Sequence, residues 1–291
     1  MCKIIMAHCL NWRVKDIKNN LSRFANQGFN AILTSVLQDS KRNENNTDWY
    51  WCYQNLGFDV GGYLGNKEDI RNLCEEAKKY NIKIYIDTVI NHVGSDEHNN
   101  LKYHKDVTIP KEWQMETGMT YNYDNRWEAT MTQPGLPHLK YWLPEVQKSI
   151  FKMYDEYVSL GCSGFRIDEL KHIQLDYEFV QDNLLGKLKE RYVDKGIDIF
   201  GEVIFCSNDL IKRYSNFVGV YTNSWTDCTN VFCCPLSHDE YYNFGQNPNN
   251  NEIIAKYADC VHSDKRGVVF FIKPFDNLWQ DERIKFINTQ Y

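Results

Sequence analysis

Short apolar runs alternate with amphipathic stretches along most of this chain. Residues 3–10 read as a strand. Val14, Ile17, Leu21, Phe24 and Ala25 then fall at helical spacing over 14–27, and Gly28 is placed to end that helix. Residues 29–36 are a second apolar strand, 67–80 a helix with Ile70, Leu73, Cys74 and Ala77 on one face, and 82–90 a third strand rich in β-branched residues. After an interruption the rhythm resumes. A helix over 144–160 carries Pro144 in its first turn and buries Val146, Ile150, Met153, Tyr154, Tyr157 and Val158. Strand four is expected at 163–168, a helix at 176–194, strand five at 197–204, a short helix at 207–216 and strand six at 217–222. Strand seven is placed at 230–236, a helix at 250–262, strand eight at 267–273 and a last helix at 277–289. Nearly continuous apolar strands separated by amphipathic helices indicate a parallel sheet covered by helices. Eight such units predict a compact α/β (β/α)8, or TIM, barrel as one domain over 1–291.

The interruption spans 93–140. It is polar and irregular, yet it carries Trp113, Tyr121, Tyr123 and Trp127. A structureless connection of that length is uncommon, so a folded excursion, a small inserted domain, is expected there.

Composition narrows the function classes. The 291 residues are 43% hydrophobic and 25% charged, an ordinary globular balance, and the formal net charge is −6. That charge argues against nucleic acid or an anionic membrane as partner, since both select a basic face. No apolar run reaches the length of a membrane span, and the N-terminal apolar run stops at His8, short for a secretory segment. A cytoplasmic protein with reduced thiols is the expectation. The ten cysteines show no paired CxxC spacing, which argues against a cysteine zinc site. Aromatic residues reach 14%, with 19 Tyr and 8 Trp, a hint of sugar-stacking platforms.

In a barrel of this kind the site is built at the C-terminal ends of the strands. Strand three ends in Asp87, Asn91 and His92 (DTVINH), and strand four in Arg166 and Asp168 (GFRIDELKH). Strand five ends in Glu202 (GEVI), and strand seven in His238 and Asp239 (SHDEY). Arg166 and Asp168, two apart on a strand, share a face, and an arginine there favours the ionised carboxylate. A structural ion pair at the barrel rim is the competing reading of that pair. Carboxylates from several strand ends converging with two imidazoles fit glycoside cleavage, in which one carboxyl is held protonated beside another that is ionised.

These four ordered stretches resemble the signature regions of the α-amylase family of glycoside hydrolases, family 13. MAHCLNW, AILTSVLQDS, WYWCYQNLGFDVGGYLG, QPGLPHLKYWLPEVQ and GVVFFIKPF are similar to other parts of the family's barrel. The resemblance implies Asp168 as nucleophile, Glu202 as general acid and base, and Asp239 as transition-state stabiliser. It implies that Arg166 orients Asp168, that His92 and His238 donate to sugar hydroxyls, and that Tyr53 stacks on the sugar with Trp49 and Tyr50 extending the platform. Lys171 and His172 would meet the sugar beyond the cut, and Asp87 would brace the site. The implied activity is cleavage, with retention, of α-1,4-glucosidic bonds in starch, glycogen or maltooligosaccharides. A transglycosylase or exo-acting α-glucosidase, and a non-catalytic glycan-binding protein on the same scaffold, are the alternatives.

The chain also departs from the family's pattern. The family's structural Ca²⁺ would take the Asn91 side chain, the backbone carbonyl of His172 and an aspartate in a Leu-Pro-Asp-Leu stretch. This chain reads Leu136-Pro137-His138-Leu139. Calcium takes oxygen ligands, so the expectation is that calcium is lost or that other oxygens replace the missing one. The short distance from Glu202 to Asp239 predicts a reduced or missing sixth helix, and the family's C-terminal β-sandwich is not expected within these residues.

Overall fold

A computed structural model describes residues 4–97, 100–222, 231–233, 267–272 and 282–290, together with 255, 258 and 259. Eight parallel strands close into a barrel in the order β1-β10-β9-β8-β7-β6-β5-β2. They are β1 (Ile4–Cys9), β2 (Ala31–Val36), β5 (Lys83–Thr88), β6 (Gly164–Ile167), β7 (Asp198–Glu202), β8 (Gly219–Thr222), β9 (Val231–Cys233) and β10 (Gly267–Ile272). The α/β barrel expected from the apolar rhythm is therefore present. Every residue of β1, β2 and β6 is buried, because a parallel strand in a barrel is covered on both faces.

The helices sit outside the sheet. They are α1 (Val14–Asn19), α2 (Leu21–Asn26), α3 (Lys67–Lys78), α4 (Arg126–Met131), α5 (Pro144–Ser159), α6 (Leu184–Arg191), α7 (Asn208–Ser215) and α8 (Glu282–Thr289). Helix α3 opens with a capping box between Asn66 and Asp69, which satisfies two otherwise orphaned backbone donors. Helix α5 buries Val146, Ile150, Met153, Tyr154 and Tyr157 along one stripe. Tyr154 lies flat on Phe165 of β6, with centroids 4.2 Å apart. No helix among the described residues is long and apolar enough to cross a membrane.

Some expected elements differ. The helix expected over 14–27 is split at Asn20, whose φ of −109° and ψ of 5° leave the helical region. The helix expected over 176–194 begins only at Leu184, because Tyr177 adopts a left-handed φ of 50° and Asn183 caps the later start. Between the second strand and the helix at 67–80, the chain forms β3 (Gln38–Ser40) paired antiparallel with β4 (Asn55–Val60). The buried Gln38 amide explains its position. It donates to the carbonyls of Gly57 and Val89 and accepts from the Val89 N–H, tying the hairpin to the end of β5. The helix expected over 250–262, the reduced sixth helix and the ends of strand seven fall wholly or mainly outside the described residues.

Residues 93–140 hold a 3-10 turn (Lys111–Trp113), α4 and isolated bridges that pair His92 with His138 and Gln114 with Leu139. Two bonds fasten α4 to the turn after β6: the Arg126 guanidinium donates to the Lys171 carbonyl, and His172 Nδ1 donates to the Ala129 carbonyl at 2.6 Å.

Close packing explains the glycine before Glu202. A Cβ on Gly201 would overlap the Leu170 side chain, which opens the 3-10 turn Leu170–His172. Gly201→Ala is expected to destabilise the chain by about 1–3 kcal/mol, the usual cost of overpacking, read as a lower urea midpoint.

Candidate active site

The site grows from the register of β5, β6 and β7. Asp87 is level with Arg166, and Arg166 with Phe200, so Glu202 stands two residues further along β7. Period-two alternation turns Asp87, Arg166 and Glu202 into the same space. Asp168 follows the last residue of β6, and its N–H donates to the Thr88 carbonyl.

Arg166 lies at the centre, 5% exposed. Its Nη1 donates to Asp87 Oδ1 at 2.9 Å and to Asp168 Oδ1 at 2.7 Å, while Nη2 lies 2.9 Å from Glu202 Oε2. The guanidinium also faces the rings of Tyr53 and Tyr221, 5.9 and 5.5 Å from their centroids. The Tyr53 hydroxyl donates to Asp87 Oδ2 at 2.8 Å, and His8 Nε2 is 3.8 Å from the same oxygen. Arg166 had been assigned to Asp168; the structure divides it among three carboxyl groups. Burial pushes the Asp168 carboxyl well above the ordinary carboxylate range; Arg166 opposes the rise, and Glu202, Glu169 and Asp87 add to it. Asp87 is raised in the same way, with burial foremost. One guanidinium faces three carboxyl groups in a buried site, so like-charge repulsion there works against ionising all three together.

The other sequence-predicted residues are placed as follows. Trp49 meets the edges of Tyr53 and Tyr50 with centroids 5.8 and 6.1 Å apart, and Tyr50 is exposed. Lys171 is half-buried, its Nζ 5.8 Å from the Tyr123 ring centroid and 3.5 Å from the Ile204 carbonyl. His92 is buried, with Nε2 2.9 Å from the Tyr53 carbonyl and Nδ1 2.8 Å from Asn91 Oδ1. His172 is buried against Ala129, and burial lowers its imidazole to about 4. His238 and Asp239 lie outside the described residues.

Glu169 was not singled out from the sequence, although it follows Asp168 directly. It adopts the left-handed conformation, φ 48° and ψ 41°, a strained state for a residue with a side chain. Its N–H donates to Glu202 Oε2 at 3.2 Å, and its carboxylate turns towards His92 and His138. Tyr221, opposite Glu202 on β8, was also missed; nothing in its sequence neighbourhood marks it.

The calcium ligands implied by the resemblance can be tested against these contacts. The Asn91 amide group donates to the carbonyls of Asp168 and Glu169 at 3.3 and 3.0 Å, which leaves its oxygen beside His92 Nδ1. The third position is the buried imidazole of His138. Calcium takes six to eight oxygens, and imidazole suits other metals. These residues do not fit calcium.

The barrel and its strand-end carboxylates define the class to which the chain is compared. The family model described as "Alpha amylase, catalytic domain" matches residues 16–215. The chain belongs to the α-amylase family of glycoside hydrolases. It is 27% identical to an α-amylase of Clostridium acetobutylicum over 98% of its own length, and 30% identical to one of Acarus siro over 72%. The chain spans 43% and 44% of those two relatives. The α-amylase structure from Malbranchea cinnamomea superimposes with a TM-score of 0.76 at 15% identity, covering 98% of this chain and 76% of that one. The α-amylase of Geobacillus thermoleovorans complexed with acarbose gives 0.75 at 15% identity, covering 98% and 77%.

Proposed function

We propose that the chain carries the catalytic centre of a retaining glycoside hydrolase that cleaves α-1,4-glucosidic bonds in α-glucans or maltooligosaccharides. The observation that carries this reading is the shared guanidinium, with Asp168 on one nitrogen of Arg166 and Glu202 on the other. Two carboxyl groups gripped by one small planar cation favour the short separation, roughly 5–5.5 Å, of retaining enzymes over the wider spacing that admits a water.

In the first step Asp168 attacks the anomeric carbon. An ester bond forms to the sugar, the glycosidic C–O bond breaks, and Glu202, acting as the general acid, passes a proton to the departing oxygen. In the second step Glu202 takes a proton from water. The water oxygen bonds to the anomeric carbon and Asp168 leaves as a carboxylate, so the two inversions restore the starting configuration. Arg166 and Asp87 hold the geometry. Asp239 completes the trio by bonding sugar hydroxyls in the transition state, and Trp49, Tyr50 and Tyr53 provide the stacking surface. Lys171, half-buried beside Tyr123, would meet the sugar beyond the cut. The α-amylase of Eisenia fetida solved with maltohexaose, like the acarbose complex, supports an oligosaccharide ligand of this kind.

The test incubates the chain with maltoheptaose and follows products by NMR beside a Glu202→Gln control. Shorter α-anomeric products are expected from the parent, with a rate on the order of 10³-fold lower or less in the control. β-anomeric first products would reject retention, and longer products would identify a transglycosylase. Folded chain that binds maltoheptaose without cleaving it would reject the enzyme reading in favour of a glycan binder.

A further inference from the structure

Beside the carboxylate centre lies a second cluster that the proposed chemistry does not use. His92 and His138 face each other across an isolated backbone bridge, their rings stacked with centroids 5.5 Å apart and planes 15° from parallel. Both are almost wholly buried. Glu169 reaches them from the left-handed turn after β6, with Oε2 3.7 Å from His92 Nδ1 and 3.5 Å from His138 Nε2.

Two features of this cluster lack a hydrogen-bonding explanation. The fully buried His138 has the Glu169 carboxylate beside Nε2, while its Nδ1 makes no hydrogen bond, and a buried polar group without a partner costs about 1–3 kcal/mol. His92 Nε2 faces the Tyr53 carbonyl and Nδ1 faces the Asn91 carbonyl oxygen. A neutral imidazole has one N–H. With the proton on Nε2, Nδ1 and Asn91 Oδ1 are two acceptors aimed at each other. A cation bound beside His92 Nδ1 and Asn91 Oδ1 turns both acceptors into ligands and removes that clash. An imidazole whose other nitrogen is fixed by a carbonyl is also the usual arrangement of a metal-ligating histidine.

We propose that His92 Nδ1, His138 Nε2 and Glu169 Oε2 bind one divalent cation of the zinc type, in the region where the family resemblance implied calcium. The three donor atoms lie within 4.8 Å of one another. Zinc bonds nitrogen and carboxylate oxygen at about 2.0–2.2 Å, so donors in a tetrahedral shell are about 3.3–3.6 Å apart. The two carboxylate–imidazole distances lie at about that edge, and binding would draw the two imidazole nitrogens, within 4.8 Å of each other, towards it. Asn91 Oδ1 is positioned to serve as a further oxygen donor. Such an ion ties together the turn after β5, the end of the 93–140 excursion and the turn after β6. It would also hold Glu169 in its strained conformation, with its N–H on Glu202, so Glu169 acts on the carboxylate centre as a positioning residue.

The experiment strips the purified chain with a chelator and titrates it with ZnCl2 and, separately, CaCl2 by calorimetry. X-ray absorption at the zinc edge then identifies the donor atoms. The expected result is one Zn²⁺ per chain, a shell of nitrogen and oxygen without sulfur, and no calcium uptake at the same site. His138→Gln is expected to weaken zinc binding by about 100-fold or more, and His138→Asp to shift preference towards calcium. Sulfur in the shell, no stoichiometric uptake by the folded parent, or undiminished uptake in folded His138→Gln would overturn the proposal. The parent's titration and absorption spectrum decide the question even where a variant fails to fold. Neither readout uses glycosidase activity, so loss of the enzyme reading leaves this site standing and the reverse also holds.

Discussion

Asp168→Asn is expected to lower turnover of maltoheptaose on the order of 10⁴-fold or more while leaving the chain at least as stable as its parent. The first effect follows from the reading of Asp168 as nucleophile: an amide oxygen does not form the glycosyl ester. The second follows from the geometry. Asp168 is buried in a group of carboxylates that shares one guanidinium, 2.7 Å from Arg166 Nη1. Replacing one carboxylate by a neutral group of the same shape removes like-charge repulsion, keeps an oxygen for Arg166 to bond, and leaves that cation Asp87 and Glu202 as partners. Sites that hold charge against burial for the sake of chemistry commonly give up stability to do so. The measurement pairs single-turnover kinetics with urea unfolding at neutral pH. Activity within tenfold of the parent would remove Asp168 from the chemistry. A clear fall in the urea midpoint would mean that the Arg166–Asp168 pair holds the barrel together more than it strains it.

Arg166→Gln is expected to act in the opposite sense on stability and to abolish activity as well. Removing the guanidinium leaves Asp87, Asp168 and Glu202 facing one another, with the Tyr53 hydroxyl still on Asp87 and the Glu169 N–H still on Glu202. Breaking a buried ion pair from one side costs about 3–5 kcal/mol. Arg166→Lys restores a charge but not the fork, because an ammonium group lacks the rigid planar set of donors that reaches Asp87, Asp168 and Glu202 together. It should recover part of the urea midpoint and little of the activity. If Arg166→Lys cleaved maltoheptaose at the parental rate, the positioning argument would fail and only the charge would matter.

Three of the strand-end stretches are readable without the fold, because period-two alternation and apolar runs announce where a strand ends and which residues leave it together; the fourth, SHDEY, lies outside the described residues. DTVINH, GFRIDELKH and GEVI thus located Asp87, Arg166, Asp168 and Glu202 at one end of a barrel. The interrupted helices were less readable. Apolar spacing continues through Asn20 and Tyr177 although their backbones leave the helix, since spacing reports which side chains are buried and not the torsions between them.

The chain's own pattern determined the parallel barrel and the strand ends that carry its carboxylates, because both rest on local periodicity. The tertiary structure decided how those groups share their charges. Asp87 and Arg166 are 79 residues apart, and their pairing depends on the register of β5 against β6. Likewise His92 meets His138 through a backbone bridge, and Glu169 reaches both from a left-handed turn. Such a cluster has no local signature, because its members come from three separate turns and meet only when the barrel closes around them.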